Sequence, residues 1–418
     1  MRKIIVIGGG PAGILAAHTA AIQGCSVELW ERNRQLGRKL AITGKGRCNI
    51  TNDTMDIQEL VGHIPGNGAF LYGAFHRFGP QDVKNFFTKA GLELKTERGR
   101  RVFPASDRAQ DVVDTLRVQL EQAGVTIRYG LRAKRLALDG ERVVGVYDFS
   151  GALHPAVAVI LATGGMTYPA TGSTGDGYTL ASQVGHYIVE PKPSLVPLET
   201  VETWPARVSG LSLRNVELSL WDDVRLLRRE QGEMLFTHFG VSGPLVLSAS
   251  QTACNPVYRD IPLTMKIDLK PALSWEQLDE RLRRDFTVMS RKQYRNSLHL
   301  LLPASLIPVF VELSTIPEDK PVNQLSRSDR QRMIELLKGL CLHVRGPRPM
   351  AEAIVTAGGV CVKEVDPKTM ASRLIAGLYF AGEVLDVDGY TGGYNLQAAW
   401  STGYVAGFSA AEKAMLLL

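Results

Sequence analysis

The hydrophobic and polar positions change period along the chain, and the changes mark its elements. KIIVI (Lys3 to Ile7) is, after its lysine, a short apolar, β-branched run and predicts a buried parallel strand. GGGPAG follows at once, then the alanine-rich ILAAHTAAIQG, which predicts a helix stopped near Gly24. SVELWE predicts a second strand ending in Glu31, and AVILATGG (Ala158 to Gly165) another buried strand running into a glycine turn. From Leu198 to Lys270 the pattern shortens to strands separated by turn residues, as in VELSLW and LTMKIDLK, and predicts a small β-barrel or sandwich. From Ser274 to Gly339 a helical period returns, opening on SWEQLDERLRRDF, where Ser274 and Gln277 have capping-box spacing. GLYFAGEVLDVDGYTGGYNLQAAWSTGYVAG (Gly377 to Gly407) predicts a strand, a glycine-acid turn, a glycine-rich loop and a last helix.

Together these elements predict an α/β protein: a Rossmann-like, doubly wound parallel sheet with an inserted β-barrel and a small helical subdomain. The expected divisions are 1–190 for the first part of the sheet domain, 191–272 for the barrel, 273–340 for the helices, 341–350 for a strand returning to the barrel, and 351–418 for the second part. EPKPSLVPL (Glu190 to Leu198) supplies the linker, extended by three prolines. A length of 418 residues and a formal charge of +6 change the picture little. The cations fall in short groups such as RGRR (Arg98 to Arg101) and RLRRD (Arg281 to Asp285), which read as solvated faces, so no nucleic-acid partner is expected. Five cysteines without a CxxC spacing imply reduced thiols in a cytoplasmic protein, not zinc, another metal or a disulfide framework. The chain opens directly into a strand, without a signal-peptide pattern, and LHLLLPASLIPVFVEL is cut by Pro303 and Pro308, so neither export nor a membrane span is expected.

Gly8, Gly10 and Gly13 fit G-x-G-x-x-G: the first permits the tight turn, the second lets backbone approach a pyrophosphate, the third lets helix pack on strand. Glu31 stands where a carboxylate would bind ribose hydroxyls, and an acidic residue there favours FAD or NAD over NADP. The C-terminal glycine-rich loop and helix favour FAD, because a flavin extends away from the first phosphate site and needs a second helix end near its ring. No second G-x-G-x-x-G with strand-helix context exists, so a separate NAD(P)H domain is not expected, although NADH or NADPH as a transient electron donor is.

GGGPAG, Glu31, ATGG, STGDG and FAGE resemble the glutathione-reductase-like FAD proteins, in particular the branch of fumarate reductase and succinate dehydrogenase flavoproteins. GRKLAITGKGRCNITN, GRRVFPAS, ATGGMTYPATGSTGDGY, FTHFGVSGP and GYTGGYNLQAAWSTG resemble more closely a bacterial family of NAD(P)/FAD-dependent, aminoacetone-oxidase-like flavoproteins. The resemblance implies that Gly8, Gly10, Pro11, Ala12 and Gly13 meet the FAD pyrophosphate and Glu31 the ribose. It also implies cofactor contacts for Ala133, for Thr163 and Gly164, and for Gly382 and Glu383 near the central phosphate and ribityl chain. Gly392, Gly393, Tyr394 and Asn395 would set the last helix against the flavin ring. In this reading TGKGRCNITN is no P-loop, since Gly46 follows Lys45 where a hydroxyl is required. Gly44 and Gly46 instead admit close backbone approach, Arg38, Lys39 and Lys45 are available to offset phosphate charge, Asn49 and Asn52 bond to flavin or loop backbone, and Arg47 and Cys48 are further cofactor contacts.

Candidate chemistry is sparser. His238 in LFTHFG is either a proton-transfer or substrate-binding group or a turn-closing histidine, and Tyr390 and Tyr394 either donate a phenolic proton or pack on the ring. Asp176 either touches FAD or orients its loop. Arg47 beside Cys48 could activate the thiol, but no cysteine stands at redox-motif spacing, so Cys48 reads as a structural thiol near the flavin. The expected function is an FAD-dependent oxidoreductase of a small organic molecule, by C=C reduction or amine oxidation. The alternatives are an FAD-dependent tRNA-modifying enzyme and a redox-responsive flavoprotein without turnover. Oligomeric state is not readable.

Overall fold

The computed structural model describes residues 2–258 and 260–416. Its architecture is the expected α/β fold with an inserted barrel, in two compact units: the chain up to Ser194 with the segment from Met350, and Leu195–Pro349.

The first unit is built on a five-stranded parallel sheet in the order Leu378–Phe380, Ala158–Leu161, Lys3–Ile7, Ser26–Glu31, Thr126–Tyr129. Residues 4–7 and Ala158–Leu161 at its centre are apolar because both faces are covered; Ile4, Ile5 and Val6 are fully buried. The first helix, Pro11–Ile22, and the C-terminal helix, Tyr394–Leu416, pack on it and on each other. Their backbones touch: a Cβ at Gly403 would stand 2.4 Å from the Ala12 carbonyl oxygen, and one at Gly407 2.3 Å from that of Ala16. Neither helix has the polar face of a surface helix, which follows from this burial. Two three-stranded antiparallel sheets complete the unit with the paired strands Ile188–Ser194 and Val355–Val360.

The segment Arg38–Gly46 is helical at its start, where the sequence suggests only a glycine-rich run. Thr43 (ψ 151°), Gly44 (φ 58°) and Lys45 (φ 60°) break the helix, so the ITGKG half turns away as a loop.

In the second unit six antiparallel strands close into a barrel, resolving the choice between barrel and sandwich: Leu198–Thr200, Gly240–Ser242, Arg225–Thr237, Ser212–Asp222, Leu263–Asp268 and Leu340–Pro347. The helices Trp275–Val288, Ile307–Ser314 and Arg327–Lys338 share one apolar core with it, through Leu282, Phe310 and Leu337 packed with Leu220, Met265 and Leu342. The capping box forms as expected: Ser274 Oγ accepts from Gln277 N (3.2 Å) and Gln277 Oε1 from Ser274 N (2.9 Å).

Candidate functional site

The GGGPAG turn sits at the end of the first strand, where chain segments approach too closely for side chains. A Cβ at Gly8 (φ 114°) would lie 2.3 Å from the Ala162 carbonyl oxygen, and one at Gly13 1.9 Å from that of Gly8. Gly10, by contrast, has open space around its Cβ position and caps the first helix without a side chain; Pro11 is the first helical residue and Ala12 is buried against the C-terminal helix. A helix N-terminus that is uncapped beside open space suits a phosphate.

Glu31, buried at the end of the second strand, ties this turn down. One carboxylate oxygen accepts from Gly9 N (2.9 Å), the other from Asn33 N and Nδ2 (2.7 Å each). Arg38 donates to Asn33 Oδ1 (2.9 Å) at the exposed edge. Asp176 accepts from Arg132 (2.7 and 2.8 Å), Arg32 (3.1 Å) and Thr174 (2.9 Å), the contacts of a loop-orienting residue. Burial works against its ionised form, but Arg132 and Thr174 outweigh that and hold its carboxyl below the usual range.

Lys39 and Glu383 form one partly buried pair. Lys39 Nζ lies 2.8 and 3.0 Å from the two carboxylate oxygens and 2.7 Å from Thr167 Oγ1, while Glu383 Oε1 accepts from Thr356 N at 2.9 Å. Gly382 (φ 76°) donates its N–H to Thr402 Oγ1 (2.9 Å), and its missing Cβ leaves room for Ala12. Gly164 (φ 73°) turns the chain after the Ala158–Leu161 strand. Ala133 lies in the apolar core at the start of its strand.

Arg47 is engaged elsewhere than phosphate: it pairs with Glu97 and Asp107 and lies over the Phe103 ring at 4.1 Å. Cys48 (φ 59°) is fully buried, and burial pushes its thiol up to about 12 despite a hydrogen bond with Thr43. Gly44 packs on Phe103 and on Asn49, whereas Gly46 faces open space.

The C-terminal loop is pinned to the strand Thr51–Asn52. A Cβ at Gly393 (φ 103°) would meet the Thr51 carbonyl at 2.5 Å, and Asn52 Nδ2 donates to Gly392 O (2.9 Å) and Gly99 O (3.0 Å). Asn395 is spent on the loop itself, accepting from Gly389 N and donating to Gly389 O, both at 2.8 Å. Tyr394 is buried and stacks on His63, with centroids 4.2 Å apart and planes 17° from parallel. Tyr390 donates its N–H to His63 O (2.9 Å) and meets the imidazole edge-on at 6.3 Å. Sequence reasoning missed His63, which carries no motif; only the return of the C-terminal loop brings it to Tyr394.

His238 is exposed in the turn joining the strands Arg225–Thr237 and Gly240–Ser242, edge-on to Phe239 at 4.9 Å. It belongs to the second unit, whereas every other candidate lies in the first.

The groups of the first unit fit a bound dinucleotide. Besides the open space at Gly10, Thr163 Oγ1 and Asn49 Oδ1 are buried without a hydrogen-bond partner, a state that costs about 1–3 kcal/mol per group and that a ligand relieves. Among the described residues no helix is long and apolar enough to cross a membrane, and no group of three acidic, histidine or cysteine side chains is placed to hold a metal.

The family model described as HI0933-like protein Rossmann domain matches residues 2–409. Similar over full length is the 3-dehydro-bile acid delta(4,6)-reductase of Clostridium scindens, 34% identical across 99% of this chain and 100% of that one. The ribosomal RNA dihydrouridine synthase of Escherichia coli is 31% identical across 96% of each chain. Among solved structures, 3-ketosteroid-delta4-(5alpha)-dehydrogenase from Rhodococcus jostii superposes with a TM-score of 0.53 at 15% identity, covering 98% of this chain and 97% of that one, a likeness of fold.

Proposed function

The chain belongs to the HI0933-like Rossmann-domain family, and from that premise we propose that it is an FAD-dependent oxidoreductase that reduces a C=C bond conjugated to a carbonyl in a small, steroid-like substrate. The observation that carries the reading is the uncapped, glycine-opened helix N-terminus at Gly10, in a chain similar end to end to a delta(4,6)-reductase. A 3-dehydro steroid with a Δ4 bond and a uridine share an alkene conjugated to a carbonyl, so the names of both relatives favour C=C reduction over amine oxidation.

When bound and reduced, FAD supplies the hydride that forms the new C–H bond at the β-carbon of such a substrate. The first-helix N-terminus at Gly10 to Gly13 would hold the pyrophosphate, with Thr163 Oγ1 and Asn49 Oδ1 as buried partners for the cofactor. The N-terminal end of the helix beginning at Tyr394 would face the charge that accumulates on the ring. Lys39 and Glu383 neutralise each other, which leaves the backbone N–H groups as the main phosphate ligands. NADH or NADPH is the proposed electron donor.

A second reading, reduction of a uridine in RNA, is favoured by the synthase relative. Against it, three of the four cations of the long barrel hairpin are paired: Arg225 with Asp222, Arg228 with Glu230 and Arg229 with Glu217. The test is spectroscopic. The purified protein is expected to be yellow, to release FAD on denaturation and to bleach anaerobically with NADH or NADPH. Colourless protein that takes up no FAD overturns the proposal, and recovery of colour with an rRNA fragment but with no enone selects the second reading.

A further inference from the structure

We propose that Tyr394 hands a proton to the α-carbon of the substrate, and that His63, stacked on it, is the positioning residue that fixes its ring and sets its ionisation. The inference rests on the C=C-reductase reading above and adds to it the source of the proton.

Addition of hydrogen across a conjugated C=C bond needs two parts: the hydride at the β-carbon and a proton at the α-carbon. When the π bond breaks, its electron pair takes that proton from Tyr394 Oη, and the phenolate left behind regains one from water. The acid must stand on rigid backbone at the flavin end of the cofactor site. Tyr394 meets this condition as the first residue of the C-terminal helix, after Gly392 (φ 125°) and Gly393 (φ 103°). The helix N-terminus lends its positive end to a phenolate there. Asn395 locks the preceding loop through both of its hydrogen bonds to Gly389.

Two more groups converge on the same ring from outside that loop. His63 comes from the C-cap of the short helix Ile57–Gly62, with its carbonyl holding Tyr390 N. Stacked at 4.2 Å, its imidazole keeps the phenol in one orientation and, when charged, favours the phenolate. Arg100, fixed by both oxygens of Glu59 (2.9 and 3.0 Å), lies within electrostatic reach of the Tyr394 hydroxyl. Of the acidic groups near this loop, Asp53 pairs with Lys84, and Asp388, beside Gly66, accepts from Ser194 Oγ at 2.6 Å. Tyr390 meets His63 edge-on at 6.3 Å and does not share the stack.

The experiment uses holoenzyme reduced anaerobically and mixed with 4-androstene-3,17-dione, or with ferricyanide, which takes electrons without needing a proton on carbon. Tyr394→Phe is expected to slow the steroid reaction about 10²–10⁴-fold, far more than it slows the ferricyanide reaction. His63→Ala is expected to shift the pH profile of the steroid reaction, and His63→Phe, which keeps the stack, to recover rate without recovering the histidine limb. In protein stripped of cofactor, the NMR titration of His63 should move in Tyr394→Phe. A steroid rate within a few-fold of wild type in Tyr394→Phe, or an unaltered profile in His63→Ala, overturns the proposal. If yellow wild-type protein reduces no enone, the reductase reading fails by itself. A His63 titration that is unmoved in Tyr394→Phe overturns the positioning role whichever way the enone test falls.

Discussion

Cys48 has an arginine next to it and a glycine-rich loop around it, and neither activates it. Positive φ at Cys48 (59°) turns its side chain into the core while Arg47 reaches out to Glu97 and Asp107, so adjacency in sequence becomes separation in space. With its thiol pushed up to about 12 by burial, Cys48 stays protonated at neutral pH. Cys48→Ser should therefore retain FAD and most turnover at a stability cost of about 1–3 kcal/mol, measured by denaturant titration; loss of turnover with FAD still bound would contradict this. His186 behaves differently. Its ring is buried between Glu364 (3.0 Å) and Ser372 (2.7 Å), and burial lowers its pKa even though Glu364 opposes the shift. The unfolded chain, with a histidine pKa of about 6.5, then binds the proton more readily than the folded one. Its contribution to stability is complete above that value and falls away as pH drops towards the folded pKa. Thermal melts from pH 7.5 to 5 should show this loss, and His186→Gln should reduce the slope.

At the scale of elements, the contact between the first and last helices leaves no room for side chains at Gly403 and Gly407. Gly403→Val places side-chain atoms against the Ala12 carbonyl and should cost about 1–3 kcal/mol or more, with FAD lost first because the helix of Ala12 carries Gly10 at its N-terminus. Ser274→Ala removes a capping box in the other unit; it should cost about 1 kcal/mol and leave FAD binding intact. Equal FAD loss in both variants would refute the assignment of the cradle to the first unit. The elements legible in the sequence are those whose pattern reports burial directly. KIIVI and AVIL read as parallel strands because both their faces are covered, and Ser274 with Gln277 announces its helix by local chemistry alone. The two-residue strand Thr51–Asn52 was not legible, because its partner Arg101–Pro104 and the returning Gly393 create it. The stacking of His63 on Tyr394 depends on the same return.

For the whole molecule, the nucleotide-binding unit is assembled from both ends of the chain around one core, while the inserted barrel and its helices share a second. Cofactor binding should thus stabilise the first unit by mass action, by about 2.7 kcal/mol at a hundredfold excess of FAD over its Kd, seen as a higher melting temperature for the loaded protein. Charge is no guide to the partner at this scale, since the +6 is dispersed and arginines such as Arg100, Arg225, Arg228 and Arg229 are paired with carboxylates. The central claim concerns the fate of two hydrogens, and a single anaerobic turnover follows them. Reduced, bleached protein mixed with one equivalent of 4-androstene-3,17-dione should regain its yellow colour while the steroid gains two hydrogens by mass spectrometry. Recovery of colour only on admitting oxygen, with the steroid and other conjugated enones returned unchanged, would contradict the account.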